Sequence, residues 1–449
     1  MNILHYTIGL PPERNGGSVV YAHSLIKSQS ERHNVFALVC GDTLFRGNVC
    51  RIAGAGERDG FKVFRLTSPT TPTLIHGVRE PQSIYVEKRI DKDSIRNFIV
   101  DNGIEVMHIH TFMGLPLEML DYVKSFGVKV VYTTHDYYGI CLGYSMLTPD
   151  GVICDKPCSD GCARCNQFAP SEKFLRLANS SLYHFLKRFS NPKRLASVSK
   201  NIDDRVFIDP AEEVVKRYSR LREYYTRMFE MVDIFHFNSS QTGGIFERFL
   251  PGIKGVVANV VTSGICDRRV RKLVDKNNVQ IGFVASLAEY KGFAVLKKVL
   301  LRLYHSGVRN WTLNVWHGGE QFEDSDCPNI KYRGKYAYSQ IDEVMKPLDL
   351  VVVPSKWNET FSLVTLEAMS FGVPSIVSTH VGAKDVVMEL DSWLVYENED
   401  ELYDKLGEML DSPGRIEQLN ERLCDLEWVH SFENHINEVE SIYEELLKI

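Results

Sequence analysis

No uncharged apolar run in this chain approaches the length of a bilayer span, so a membrane-crossing helix is not expected. The opening MNILHYTIGLPPER has no basic stretch leading into a long apolar core, so no secretory leader is expected either, and the chain reads as cytoplasmic. Positive charge is not in surplus. The 52 Lys and Arg against 58 Asp and Glu give a net charge of −6, so nothing global points to nucleic acid. Repeats and low-complexity tracts are absent. A disulfide framework is not expected of ten cysteines in a leaderless chain of 449 residues. What is present is the composition of a soluble globular protein, 44% hydrophobic, at a length that exceeds one ordinary core and predicts two domains.

The pattern is alternating. NILHYTIG reads as a first strand running into PPERNGGSVVYAHSLIKSQ, where Gly16 and Gly17 open an amphipathic helix; this is the order in which a doubly wound sheet builds an anion site. HNVFALVCGD, FKVFRLT, IEVMHIHT and VKVVYTTHD are further short apolar strands with helical stretches between some of them, which predicts a mostly parallel sheet. From about Ser171 to Phe229 the pattern turns helical and basic. Phe174, Ala178, Leu182, Phe185 and Phe189 form one stripe, with Lys173, Arg176, Lys187, Arg188, Lys193 and Arg194 around it. IFHFNSS and GVVANVVTSG return to strand. A second α/β series follows in VQIGFVASL, WTLNVWHGG, NIKYRGK, DLVVVPS and PSIVST, so two Rossmann-like halves join near residues 266 to 278.

In PSKWNETFSLVTLEAMSFGVPSIVS, residues 354 to 378, Thr360 or Ser362 can cap a helix whose apolar positions Leu363, Leu366 and Met369 share a face. Gly372 and Pro374 stop it. Glu359 then sits in the loop before the helix and Glu367 about two turns in, both able to line a crevice at the carboxyl end of a parallel sheet. A carboxylate there accepts from two neighbouring sugar hydroxyls, and N–H groups at the helix start hold a phosphate. The plainer alternative is a capping carboxylate and a solvent-facing helical glutamate.

Taken in order, GFVASLAEYKG, WHGG, YRGKY, LVVVPS, the E-x7-E from Glu359 to Glu367 and AMSFGVPSIVS resemble the donor-nucleotide domain of retaining GT-B glycosyltransferases of the family 4 type, the glycosyl transferases group 1. The Gly16-Gly17 loop, the THD at His135 and the amphipathic tail helix are similar to the first domain of that family. The resemblance implies an α/β GT-B fold, two Rossmann-like doubly wound domains facing a cleft. Residues 1–266 would form the acceptor side, carrying a cysteine-rich loop at 141–166 and the basic helical insert at 171–229. Residues 276–428 would bind the nucleotide-sugar, and a helix at 429–449 would cross back to the first domain. By the same resemblance, Glu367 holds the ribose and Glu359 the transferred sugar. N–H groups around Phe361, Ser362 and Leu363 face the diphosphate or sugar, Lys291 neutralises the leaving diphosphate, and His135 hydrogen-bonds the donor sugar from the facing domain. No metal is implied for catalysis.

The implied activity is a hexosyltransferase (EC 2.4) moving sugar from a nucleotide-sugar to a glycan or polyprenyl-linked acceptor, with retention, in surface-polysaccharide assembly. A nucleotide-sugar epimerase or hydrolase on the same scaffold, and a non-catalytic binding protein, stand as alternatives. The chain departs from the family pattern at Ser286, where an arginine is usual, at Thr360 and Ser362, where glycines are common, and at Ala383 and Asp385. Two features lie outside the resemblance. The basic insert reads either as a solvated face or as a surface lying peripherally on an anionic membrane. Cys154, Cys158, Cys162 and Cys165, with Cys141 as a spare, suit a structural zinc or an iron–sulfur cluster, with free buried thiols as the alternative.

Overall fold

The computed structural model describes residues 1–44, 47, 49–74, 77–183 and 206–449, and divides them into two compact units. The first comprises Met1–Phe237, Gly244–Val256 and Ile436–Ile449; the second, Asn238–Gly243 and Val257–His435. The main crossing into the second unit therefore falls at 256/257 rather than 266. The intervening residues explain this: Ala258, Val260, Val261 and Ile265 are buried, and burial of a valine or isoleucine side chain contributes roughly 1.5–3 kcal/mol.

The first unit holds strands β1 (Asn2–Thr7), β2 (Asn34–Cys40), β3 (Val49–Arg58), β4 (Phe61–Thr67), β5 (Arg89–Ile90), β6 (Val106–Ile109), β7 (Lys129–Thr133), β8 (Ile234–Phe237) and β9 (Gly255–Val257), ordered β5-β3-β4-β2-β1-β6-β7-β8-β9. β1 pairs in parallel with β2 and β6, and β6 with β7. Parallel strands covered on both faces read as unbroken apolar runs, which is why these were visible in the sequence. β3 was not. VCRIAGAGER is rich in small and charged residues because it is a half-exposed strand paired antiparallel to β4 through the tight Asp59-Gly60 turn, both at positive φ.

Helix α1 (Gly17–Gln29) follows β1 with Gly16 at φ 146° as its cap, an arrangement closed to most side chains. Helix α2 (Glu212–Glu230) corrects the reading of 171–229 as one solvated or membrane-facing insert. Its Tyr218, Leu221, Tyr224, Tyr225, Met228 and Phe229 are core residues. Tyr218 Oη donates to Val78 O at 2.7 Å, and Leu117 N donates to Tyr224 Oη at 2.8 Å. Earlier in the insert Phe174 and Leu182 are exposed while Leu175 is buried; Phe185, Phe189, Lys187, Arg188, Lys193 and Arg194 lie outside the described residues.

The second unit holds β10 (Val279–Val284), β11 (Trp311–Trp316), β12 (Phe322–Glu323), β13 (Ile330–Gly334), β14 (Leu350–Val353), β15 (Ser375–Ser378) and β16 (Val395–Tyr396), ordered β12-β13-β11-β10-β14-β15-β16 and parallel except at β12. Its central strand β10 leads through a 3-10 turn at Glu289–Lys291 into helix α3 (Phe293–His305), and β14 leads into helix α4 (Leu363–Ser370). The tail helix α5 (Phe432–Leu447) delivers Ile436–Ile449 to the first unit, where Tyr443 is fully buried.

Gly292 joins the turn to α3 at φ 73°, and a Cβ there would lie 1.7 Å from Pro354 O. Gly292→Ala is therefore expected to destabilise the second unit by about 2 kcal/mol or more. The urea midpoint of that unit's transition checks this; an unmoved midpoint would mean that the Pro354 peptide yields.

Candidate functional site

The site is built where β10 and β14 end, the crevice position of an open α/β sheet. β14 breaks at Pro354, and the loop to α4 is held as a ribbon: Glu359 N donates to His380 O at 2.8 Å, Gly382 N to Glu359 O at 3.0 Å, and Ala383 N to Phe361 O at 2.9 Å. Gly382 is needed there, since a Cβ would stand 2.4 Å from Thr360 O. Thr360 O in turn accepts from Ser239 Oγ and Thr242 Oγ1 at 2.8 and 2.9 Å. Lys356 N donates to Tyr290 O at 2.8 Å, tying the EYKG turn to this loop.

Those constraints bring Lys291 Nζ to 2.8 Å from Glu359 Oε1, and Ser355 Oγ donates to the same oxygen. Glu359 is 6% exposed, and the Lys291 side chain 24%. Trp357 and Tyr290 flank the ammonium, with ring centroids at 5.5 and 6.0 Å. Helix α4 starts at Ser362, held at φ 109° with no side-chain cap, a left-handed conformation that costs a non-glycine residue about 1–3 kcal/mol. The first N–H groups of a helix have no intrahelical acceptor, and Leu363 and Val364 line a cavity of about 180 Å³ with Lys291, Ser355, Glu359 and Ser362. A second cavity, about 300 Å³, shares Val284 and Ala285 with it and is walled by Trp316, His317, Gly318, Lys335 and Tyr336.

Glu367 lies on α4, 8% exposed. Burial pushes its carboxyl up to about 7, against a hydrogen bond from Tyr338 that lowers it. The solvent-facing alternative for this glutamate is thereby excluded. Tyr338 and Tyr336 are themselves pushed up to about 12 by burial and by the Glu367 charge.

The sequence-predicted residues divide. Lys291, Glu359, Ser362 and Leu363 line one cavity. Thr360 contributes its carbonyl to the loop, and the Phe361 side chain is core. Ser286 is exposed, one residue beyond Ala285, which lines both cavities in its stead. Asp385 accepts from Ser240 N and Oγ at 2.7 and 2.6 Å. Ser355 and Tyr336, the last residues of LVVVPS and YRGKY, and Trp357 and Tyr338 just beyond them, were missed individually.

In the first unit, Gly16 and Gly17 are exposed at the start of α1. His135 follows β7, its Nε2 3.1 Å from His110 Nδ1 and its ring edge-on to Tyr21 at 4.8 Å. Burial lowers its imidazole to about 3. The sulfurs of Cys154, Cys158, Cys162 and Cys165 are not drawn together as one set within 4.8 Å, although these thiols lie close enough to act on one another electrostatically. Among the described residues, three potential ligand atoms meet within 4.8 Å only at His5, His108 and His110. The sulfurs have other partners: Met146 N donates to Cys141 Sγ at 3.3 Å, Cys154 Sγ to Lys156 O at 3.4 Å, and Arg222 Nη2 to Cys162 Sγ at 2.9 Å. Burial pushes the thiols of Cys162 and Cys165 up to about 12, with the neighbouring cysteines adding to the shift.

Residues 278–412 match the family described as Glycosyl transferases group 1. An uncharacterized 41.2 kDa protein in the cps region of Klebsiella pneumoniae is 27% identical over 141 residues, 31% of this chain and 38% of that protein, so the match spans under two fifths of the relative's length. Among solved structures, sucrose-phosphate synthase from Thermosynechococcus elongatus superposes with a TM-score of 0.57 at 13% identity, covering 100% of this chain and 99% of that one. Anabaena HepE in complex with UDP and glucose gives 0.53 at 15%, covering 100% of both. The catalytic domain of Starch Synthase IV from Arabidopsis thaliana, bound to ADP and acarbose, gives 0.55 at 13%, covering 100% and 99%. Residues 278–412 are thus similar to the glycosyl transferases group 1 family, and the chain has the α/β fold of GT-B structures.

Proposed function

We propose that this protein transfers a hexosyl group from a nucleotide-sugar to a glycan or lipid-linked acceptor, with retention at the anomeric carbon, in the assembly of a surface polysaccharide. The observation that carries the reading is the meeting of Lys291, Glu359 and the α4 N-terminus around one cavity at the end of β14. When the bond from the anomeric carbon to the diphosphate breaks, negative charge collects on phosphate oxygen. A fixed ammonium and a helix N-terminus are suited to that charge. Glu359, released from Lys291 as the phosphate takes over the ammonium, accepts from hydroxyls of the sugar. Glu367 accepts from the ribose, and the cavity walled by His317, Lys335 and Tyr336 takes the base. His135 is assigned to a hydroxyl of the transferred sugar.

HepE and Starch Synthase IV are described with UDP and ADP, which supports a nucleoside-diphosphate donor. The cps-region relative supports a polysaccharide product. Exposed Phe174, Leu177 and Leu182 support a peripheral site on an anionic membrane. Screening nucleotide-sugars for thermal stabilisation tests the reading directly, because bound ligand raises the melting point according to its affinity. A donor that is bound and then consumed at full rate without acceptor would favour the epimerase or hydrolase alternative.

Lys291→Ala is expected to cost on the order of 3 kcal/mol in kcat/KM, comparable to loss of one oriented donor at a developing anion. Near-normal turnover would show that another group supports the diphosphate. For Glu367 the pH dependence is diagnostic. With its carboxyl near 7, the folded protein holds a proton that the unfolded chain releases between about 4.5 and 7, so ligand-free stability falls as pH rises through that window. Ribose hydroxyls favour the ionised form, so nucleotide affinity should rise about tenfold from pH 6 to pH 8, as the ionised fraction grows. Glu367→Gln should flatten that profile and weaken binding at pH 8; calorimetry across pH checks both.

A further inference from the structure

Glu359 is fixed within the second unit by its backbone and by its side chain. Glu359 N donates to His380 O, and Glu359 O accepts from Gly382 N. Its carboxylate is met by Lys291, from the turn after β10, and by Ser355, from the bend after β14. Ser355 is itself only 2% exposed, and its carbonyl accepts from Ser378 Oγ, at the end of β15, at 2.6 Å. The peptide that carries the Ser355 hydroxyl is thus tied to the neighbouring strand.

The two side-chain donors converge. An ionised carboxylate offers two oxygens and about four acceptor sites, and satisfying it calls for no preference between them. Lys291 Nζ and Ser355 Oγ both reach Oε1, while Oε2 accepts from none of the described residues. Glu359 lines the 180 Å³ cavity together with both of these partners. The carboxylate is therefore gripped by one oxygen, and the other is left over.

The donor-site reading gives this asymmetry a use. When the diphosphate takes over the Lys291 ammonium, Glu359 loses its cation at a buried position, and a carboxylate left there without a donor is costly. Ser355 remains. Its hydroxyl is anchored on the bend after β14 and not on the turn that carries Lys291, so Oε1 keeps one donor through the exchange and Oε2 keeps its direction.

We propose that Ser355 is a positioning residue for Glu359: it holds Oε1 when Lys291 turns to the diphosphate, and so presents Oε2 to a hydroxyl of the transferred sugar. This rests on the assignment of Lys291 to the diphosphate and of Glu359 to the sugar made above. A buried serine in need of a partner would be content with any acceptor. One that doubles up with the ammonium on a single oxygen also decides which oxygen the sugar meets.

Ser355→Ala removes the hydroxyl and Ser355→Thr keeps it. The probes are matched pairs, UDP with UDP-glucose, ADP with ADP-glucose and GDP with GDP-glucose, bound to the full-length protein in a calorimeter, with kcat read as donor consumption. In Ser355→Ala, diphosphate affinity should be unchanged, while the affinity of the glucose derivative relative to its diphosphate should drop. Its kcat should fall on the order of 10- to 100-fold, the size of one hydrogen bond to a charged group. Ser355→Thr should recover most of both. A Ser355→Ala protein with native kcat overturns the proposal. So does one that loses diphosphate affinity in step with kcat, which would put the effect of the serine at the phosphate. A Ser355→Thr protein of native melting point that stays at the alanine rate overturns it as well. A native protein that binds and consumes no nucleotide-sugar would refute the transferase reading, and this role with it; one that consumes a nucleotide-sugar while Ser355→Ala keeps pace refutes the role alone.

Discussion

A carboxylate as buried as Glu359 is costly unless a cation or several donors meet it, and in this protein the cation is Lys291 at 2.8 Å. The surrounding architecture follows from making that contact. The lysine must arrive from the end of one strand and the glutamate from the end of its neighbour, so the EYKG turn and the loop after Pro354 have to touch. Gly292 and Gly382 are the two places where backbone approaches backbone too closely for a side chain. The same requirement accounts for the twisted start of α4. Ser362 is held at φ 109°, and the strain persists because Glu359 and Phe361 are already bonded to the 380–383 strip.

The pair also sets up a division of labour between two glutamates eight residues apart. Glu359 has a lysine and a serine; Glu367 has a tyrosine, and burial raises its carboxyl.

Much of this was legible because doubly wound sheets write themselves as apolar runs punctuated by glycine and proline. β1, β6, β7, β10, β11 and β14, the strands that carry the site and the clustered histidines, are of that kind. The strands that escaped are edge or antiparallel elements: β3 with its small residues, and β5, β12 and β16 at two residues each, too short to show a period. The basic stretch misled for another reason. Charged residues on the outer face of α2 hid an aromatic face that completes the first core, and charge patterning alone does not show which side of a helix is covered. The cysteines are read from spacing alone, and a ligand set depends also on where the sulfurs point. The cluster of histidines was out of reach in another way, because His5, the pair His108 and His110, and His135 come from β1, β6 and the end of β7, whose register only the sheet reveals.

The route of the chain has a consequence for synthesis. The second unit is almost wholly an insertion between two parts of the first, and Tyr443, which seals His108 in the first core, belongs to the stretch made after it. On a ribosome delivering residues from the amino end, the earlier domain would be the later one to finish. Its imidazoles would stay open to water until the other domain had been made and the closing helix released.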